Sequence, residues 1–178
     1  MVGFVLKTST PENPSADNAT DLGTSSLRWQ DLYLSGNLYI GGTAAANALD
    51  DYEEGTWTPN VQFNNDSTGV TYSNQLGTYT KVGNICTLWL FVTLTNNGTG
   101  VGNATIIDLP FSAAASTRNS GGIKINNAAD AKVPFASILA STSTINILDA
   151  ASNSAASFTD TELGGNENIW GTIVYRTA

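Results

Sequence analysis

The chain has no histidine and a single cysteine, and these two scarcities remove most familiar catalytic machinery. Without histidine there is no common general base, no common metal ligand, and no Ser–His or Cys–His nucleophile pair. Cys86 has no partner for an intrachain disulfide, and no basic residue adjoins it in sequence. We therefore expect Cys86 to be a small buried hydrophobe, and we expect neither enzymatic activity nor a cofactor.

Charge is also scarce, and it is mostly of one sign. Only 12% of the residues are charged, and 7 basic against 15 acidic residues give a net charge of −8. Such a chain repels nucleic-acid phosphates and anionic membrane surfaces. No apolar run approaches the roughly 18 residues of a membrane-spanning helix, and 1–6 is too short for the core of a secretory signal. We expect no nucleic-acid partner and no membrane insertion.

Short β-rich segments separated by turn residues fill the chain from residue 56 onward. This pattern, with no convincing helix, predicts an antiparallel β-sandwich of about nine strands, jelly-roll-like in arrangement. The predicted strands are 57–63, 70–73, 78–82, 85–95, 104–109, 123–126, 133–139, 144–148 and 169–176.

The run 85–95, ICTLWLFVTLT, is the longest of these segments. Its continuous apolarity predicts a central strand that is covered on both faces. Trp89 lies in this run, and we expect it in the core. Trp57 and Trp170 lie beside polar turns, where an aromatic ring either fills a core or interface or stacks on a sugar.

The segment Asp21–Gly42, DLGTSSLRWQDLYLSGNLYIGG, opens with turn residues and then alternates with period two. Both faces of this ribbon are apolar or aromatic, and an isolated hairpin is marginal in water. The flanking segments offer little to bury it, so we expect copies from other chains to cover it. The predicted interface residues are Trp29, Leu32, Tyr33, Leu34, Leu38, Tyr39 and Ile40.

The same segment resembles the repeat unit of bacteriophage tail-fibre shafts, in which Asp-Leu-Gly, serines and an aromatic residue precede Leu-Tyr-Leu-Ser-Gly. Four later motifs, LDDYEEGTWTP, LGTYTKVGN, IIDLPFS and GTIVYRTA, resemble a C-terminal β-sandwich found at the tips of phage fibres. The resemblance implies a homotrimer in which three chains wind a β-prism, and a virion protein made in the bacterial cytoplasm.

The resemblance and the composition together predict three parts. An extended arm, 1–20, would attach to the virion, a prism-like neck and linker would span 21–48, and a sandwich head would span 49–178. Val2, Phe4 and Leu6 form an apolar strand candidate in the arm, which is either a disordered terminus or a peptide that docks on a tail, baseplate or capsid protein.

Four carboxylates crowd the start of the head, within the segment Asp50–Glu54. A contiguous acidic run is usually a solvated face, and catalysis or Ca²⁺ binding would need ligands that converge from several sides. If three chains meet at this neck, a bound cation is a second interpretation.

Receptor contacts are expected in the loops of the head, because loops on a rigid sheet vary without disturbing the core. The candidate loops are rich in Asn, Ser, Thr and Gly, which either hydrogen-bond sugar hydroxyls or only form turns. The candidate contact residues are Asn65, Asn97, Thr99, Asn119 and Asn153.

Three functions are compatible with this organisation. The first is a non-enzymatic trimeric fibre or spike whose head binds the host cell surface, probably through a glycan. The second is a capsid decoration protein or head fibre of the same architecture. The third is a polysaccharide depolymerase, which the missing histidine, the short chain and the lack of a β-helical repeat disfavour.

The predicted assembly can be tested at Leu34. Replacing Leu34 with Asp would force a carboxylate into an apolar seam between chains, so we expect the trimer to dissociate. Sedimentation of the wild type and the variant measures this. A wild-type chain that sediments as a stable monomer at micromolar concentration would contradict the trimer.

Overall fold

A computed structural model describes residues 16–17, 21–41, 44, 48–49, 51–115, 118–128, 132–151 and 156–178. All regular structure in these residues is β, as the sequence predicts. The chain divides into two compact units, one ending at Asn37 and the other beginning at Leu38. The second unit contains every strand and is called the head from Tyr52 onward.

Nine strands of the head form one antiparallel sheet in the order β3-β5-β6-β11-β8-β9-β10-β7-β4. The sheet is a single hydrogen-bonded layer that curls on itself, where the sequence predicted a sandwich of two sheets. Its strands are β3 (Tyr52–Trp57), β4 (Asn60–Phe63), β5 (Val70–Val82), β6 (Ile85–Asn97), β7 (Ala104–Ile107), β8 (Asn119–Asn126), β9 (Pro134–Ile138), β10 (Ile145–Asp149) and β11 (Asn168–Arg176).

The two outermost strands of the sheet are consecutive in the chain, which forces the curl. β3 pairs with β5 and β4 pairs with β7, and only Thr58 and Pro59 separate them. Side chains then tie β4 to β5: the amide of Val61 donates to Tyr72 Oη at 2.8 Å, and Gln75 Nε2 donates to the carbonyl of Pro59 at 3.2 Å. The curled sheet thus encloses its own core.

Strand β6 shows how the core is filled. Its residues alternate strictly in burial from Ile85 to Leu94, with every second side chain buried. The buried set on β6 is Cys86, Leu88, Leu90, Val92 and Leu94. Cys86 is fully buried, as predicted, and burial raises the pKa of its thiol. Its apolar neighbours across the core come from the other strands and from Leu109, Phe158 and Leu163.

Two inward-facing glycines are covered by aromatic rings from the neighbouring strand. Gly77 lies opposite Trp57, and a Cβ on Gly77 would lie only 2.7 Å from Trp57 Cδ1. Gly55 lies opposite Tyr79, and a Cβ there would lie 2.9 Å from Tyr79 Oη. Each ring lies where a side chain would otherwise stand, so aromatic volume replaces the missing side chains.

Two strand predictions were wrong. The predicted strand 57–63 is two strands with different partners, because Pro59 has no N–H to continue a ladder. The predicted strands 70–73 and 78–82 are one strand of 13 residues, β5. A register shift around Tyr72 absorbs the irregularity that suggested a break.

The segment predicted as a ribbon has little strand in the single chain. Only β1 (Leu38–Tyr39) forms, and it pairs with β2 (Ala48–Leu49). Thr24 Oγ1 accepts a hydrogen bond from the amide of Leu27 at 3.0 Å, which closes a turn before Trp29. The ribbon between chains stays a prediction.

Gly77 provides a test of the core. Gly77→Ala would displace the Trp57 ring and weaken its hydrogen bond to the Trp89 carbonyl, so we expect a loss of about 1–3 kcal/mol in the free energy of unfolding. Gly122→Ala is the matched control, since a Cβ there meets nothing within 4 Å. Urea denaturation at equal protein concentration compares the two. An equal effect at both glycines would show that the Trp57 contact is unimportant.

Candidate functional site

The head has two distinct ends. At the base, the chain enters β3 next to the turn of Gly83 and Asn84, where the Gly83 amide donates to the Asp51 carbonyl at 2.7 Å. The C-terminal strand ends there as well, since Arg176 pairs with Ile85. At the opposite end, the tip, the connections 64–69, 98–103 and 158–167 project from the sheet.

The predicted receptor residues do not all lie together. Asn65, Asn97 and Thr99 are at the tip, where the predicted loops meet. Asn119 begins β8 at the base, and its Oδ1 accepts a hydrogen bond from the Arg176 amide at 3.3 Å. Asn153 lies outside the described residues. A single surface at the tip therefore can include three of the five, and Asn119 belongs to a different end.

Buried carboxylates hold the loops of the tip in place. Glu167 is only 4% exposed, and its two oxygens accept hydrogen bonds from the amides of Gly164, Gly165 and Asn166, all at 2.9 Å. Gly165 has a φ of 103°, and a Cβ there would lie 2.8 Å from the Asn96 Cα. The loop thus needs glycine at this position to lie against the end of β6.

A second anchor joins the loops that contain Asn97 and Thr99. Asp160 Oδ1 accepts a hydrogen bond from the Gly102 amide at 2.7 Å, and Asn97 Nδ2 donates to the Asp160 carbonyl at 3.1 Å. Thr99 donates its amide to the Thr68 carbonyl at 3.0 Å. Neighbouring loops therefore fix one another, and the tip is preorganised rather than a set of independent turns.

The third anchor is a buried ion pair. Lys132 Nζ lies 2.5 Å from Glu162 Oε1, and both side chains are largely buried. Glu162 Oε2 also accepts from the Thr159 amide at 2.7 Å. Burial by itself raises the pKa of Glu162, but the hydrogen bonds from Lys132 and Thr159 outweigh it and lower the pKa to about 2.

The other surface that stands out is the outer face, formed by the outward side chains of β3, β5, β6, β8 and β11. An open depression of about 370 Å³ on it is lined by Trp89, Phe91, Asn126, Asn168 and Trp170, and its lining is almost wholly apolar. Lys124 Nζ lies 5.8 Å from the centre of the Trp170 ring, within the range of a cation–π contact.

The prediction that Trp89 lies in the core was wrong, because Trp89 is 42% exposed on the outer face. The run 85–95 reads as apolar on both faces, but the single chain covers only the face with Leu88 and Leu90. Phe91 and Trp170 were not predicted as site residues. The period-two parity of β6 and β11 places both beside Trp89, and that parity is legible in the sequence.

The predicted interface residues of the neck, from Trp29 to Ile40, are all exposed in the single chain. Trp29 is 59% exposed and Tyr33 is 89% exposed. Large exposed aromatic side chains in such number are unusual on an isolated soluble chain. Val2, Phe4 and Leu6 lie outside the described residues, as does Asp50 of the acidic run.

Within the described part of the chain, no group of three or more carboxylate, thiol or imidazole side chains could hold a metal ion. The described residues likewise include no helix long and apolar enough to cross a membrane. Comparison with protein-family models, with curated proteins and with solved structures gives no match.

Glu162 makes the tip sensitive to acid. A carboxyl group whose pKa is lower in the folded than in the unfolded chain stabilises the fold above its unfolded pKa, and this contribution is lost as the pH falls through its folded pKa. Between pH 4.5 and about 2 we therefore expect stability to fall, and Glu162→Gln to flatten that part of the pH dependence. Thermal unfolding across this range is the measurement.

The control for this prediction is Asp17→Asn, which removes an exposed carboxylate outside the head. It should leave the pH dependence of head unfolding as it is in the wild type. A Glu162→Gln profile parallel to the wild type would show that the ion pair with Lys132 contributes nothing to the acid sensitivity.

Proposed function

We propose that this chain is a non-enzymatic virion protein, a homotrimeric phage fibre or spike. In this proposal the arm attaches to a tail, baseplate or capsid protein, and the prism-like neck joins three chains. The jelly-roll-like head recognises a glycan on the host surface through its tip.

The opposition of base and tip is the observation that carries this proposal. The chain enters and leaves the head at the base, and the loops with Asn65, Asn97 and Thr99 lie at the other end. A head tethered in this way presents its tip away from its attachment. That is the arrangement a receptor-binding module requires.

The chemistry of the tip favours binding over catalysis. Glu167, Glu162 and Asp160 use their carboxylate oxygens to hold backbone amides, and Glu162 also pairs with Lys132. These carboxylates are engaged in structure, whereas a catalytic pair must face a substrate. Exposed groups such as Thr99 and Asn65 leave hydroxyl and amide chemistry at the surface, which suits sugar hydroxyls.

Each such contact is weak, because a hydrogen bond to a sugar replaces one to water with a small net gain. Three tips on one trimer, and many trimers on one virion, would add avidity without new contacts. With no histidine in the chain, binding should change little between about pH 6 and 8.

Blocking the tip tests the proposal. A bulky polyethylene-glycol maleimide attached to Thr99→Cys should abolish binding of the purified protein to an array of bacterial surface polysaccharides and its competition with virions for adsorption. The native Cys86 is buried and should not react. The matched control is Asn84→Cys, an exposed position in the turn at the base, where the same label should have little effect.

Three outcomes would count against receptor binding by the tip. Equal loss at both positions would show a general effect of the label, and no loss at Thr99→Cys would exclude the tip. If virions that lack the head adsorb normally, the decoration role on the capsid takes the place of host recognition. Shortened polysaccharide chains after incubation would instead indicate a depolymerase.

A further inference from the structure

The outer face is apolar well beyond the aromatic depression. Its exposed apolar side chains run from the base to the middle of the sheet and cover all of the three central strands. Those more than a third exposed are Tyr52, Leu76, Val82, Ile85, Trp89 and Val174. They are neighbours in the sheet, since Val82 pairs with Ile85, Leu76 with Phe91 and Phe91 with Trp170.

We propose that the outer face is the surface on which the heads of the assembled trimer pack against one another, so that its occupant is a second copy of this chain. This inference rests on the proposed trimer and adds a contact surface that the neck does not supply.

The charge of the outer face favours a copy of the same chain. Its outward positions hold one carboxylate, Glu54, and two cations, Lys124 and Arg176, which gives a net charge of +1. The whole chain carries −8, so the rest of it carries −9. Two like-charged copies therefore repel one another least through this face. Depletion of charge and enrichment of aromatic residues are also typical of the centre of a protein interface.

The size of the outer face matches a protein better than a sugar. Five strands spaced about 4.8 Å apart are roughly 24 Å wide, and the outward positions from Ile85 to Thr93 extend about 27 Å along β6. The resulting area, on the order of 600 Å² before side-chain relief is counted, approaches the roughly 800 Å² per partner of a standard protein interface. A saccharide in the depression would leave Val82, Ile85 and Val174 uncovered.

The sequence of β6 supports the same occupant. Its outward residues include Ile85, Trp89 and Phe91, although an outward strand face in water is normally polar. Only the inward face is covered within the single chain. A second copy on the outer face would give this strand the coverage on both faces that its composition indicates.

Footprinting of the wild-type full-length protein tests this without any substitution. Hydroxyl-radical labelling, read by mass spectrometry, should leave Trp89, Leu76 and Val174 protected relative to their exposure in the single chain. Val101 and Val133 are exposed apolar residues off the outer face, and they should label freely. Sedimentation under the same conditions gives the oligomeric state.

Substitution gives a second test. Trp89→Lys and Thr87→Lys place an ammonium on the outer face, and each should raise the dissociation constant of the assembly at least about tenfold, because an unpaired charge would be buried at every contact. Thr87 is an exposed polar residue whose replacement removes little from the fold. Val101→Lys at the tip is the matched control and should leave the dissociation constant unchanged.

The outcomes separate this inference from the proposed function. A trimer in which Trp89, Leu76 and Val174 label as freely as Val101 overturns the inference and leaves the proposed fibre standing. Protection that appears only when a bacterial polysaccharide is added also overturns it, and assigns the depression to sugar instead. A monomer overturns the inference together with the proposed trimer.

Discussion

A single sheet without helices must cover its own inner face, and the rest of the head depends on that constraint. The described residues contain no second layer that could do so. The sheet meets the requirement by curling until β4 returns to β5, where the Tyr72 hydroxyl takes the place of a backbone ladder. Burial raises the pKa of Tyr72, so its hydroxyl stays protonated over the physiological range. The cost of this solution is an outer face that the chain itself leaves bare.

The constraint also explains where the buried charge of the head is used. Connections between strands of a curled sheet crowd at its ends, and their amides need acceptors when they turn away from the ladders. Glu167 and Glu162 supply those acceptors at the tip, and Asp149 does the same for the amides of Val133 and Ala151. Several of the chain's few carboxylates therefore stabilise loops, and a rigid tip follows from the same bonds.

How far the sequence predicts this structure depends on the range of the interaction involved. Alternation along β6, the isolation of Cys86 and the antiparallel all-β class follow from neighbours in sequence, and they were predictable. The break at Pro59 was also legible, but it was outweighed by the apolar residues on either side. The position of Asn119 at the base was not predictable, because it depends on β8 pairing with β11 and β9, and such non-local pairings are not written in local composition.

Trp89 shows why the candidate site was harder to predict than the fold. Its pattern correctly indicated a residue that needs cover, but the single chain does not provide that cover. An aromatic ring on an outer strand face serves either a sugar or a protein, and the two uses exclude one another at the same residue. If the heads pack through the outer face as proposed, Trp89 and Trp170 are removed from solvent in the trimer. Recognition of the host then falls to the amide and hydroxyl groups of the tip, whose individual contacts are weak and whose strength must come from their number.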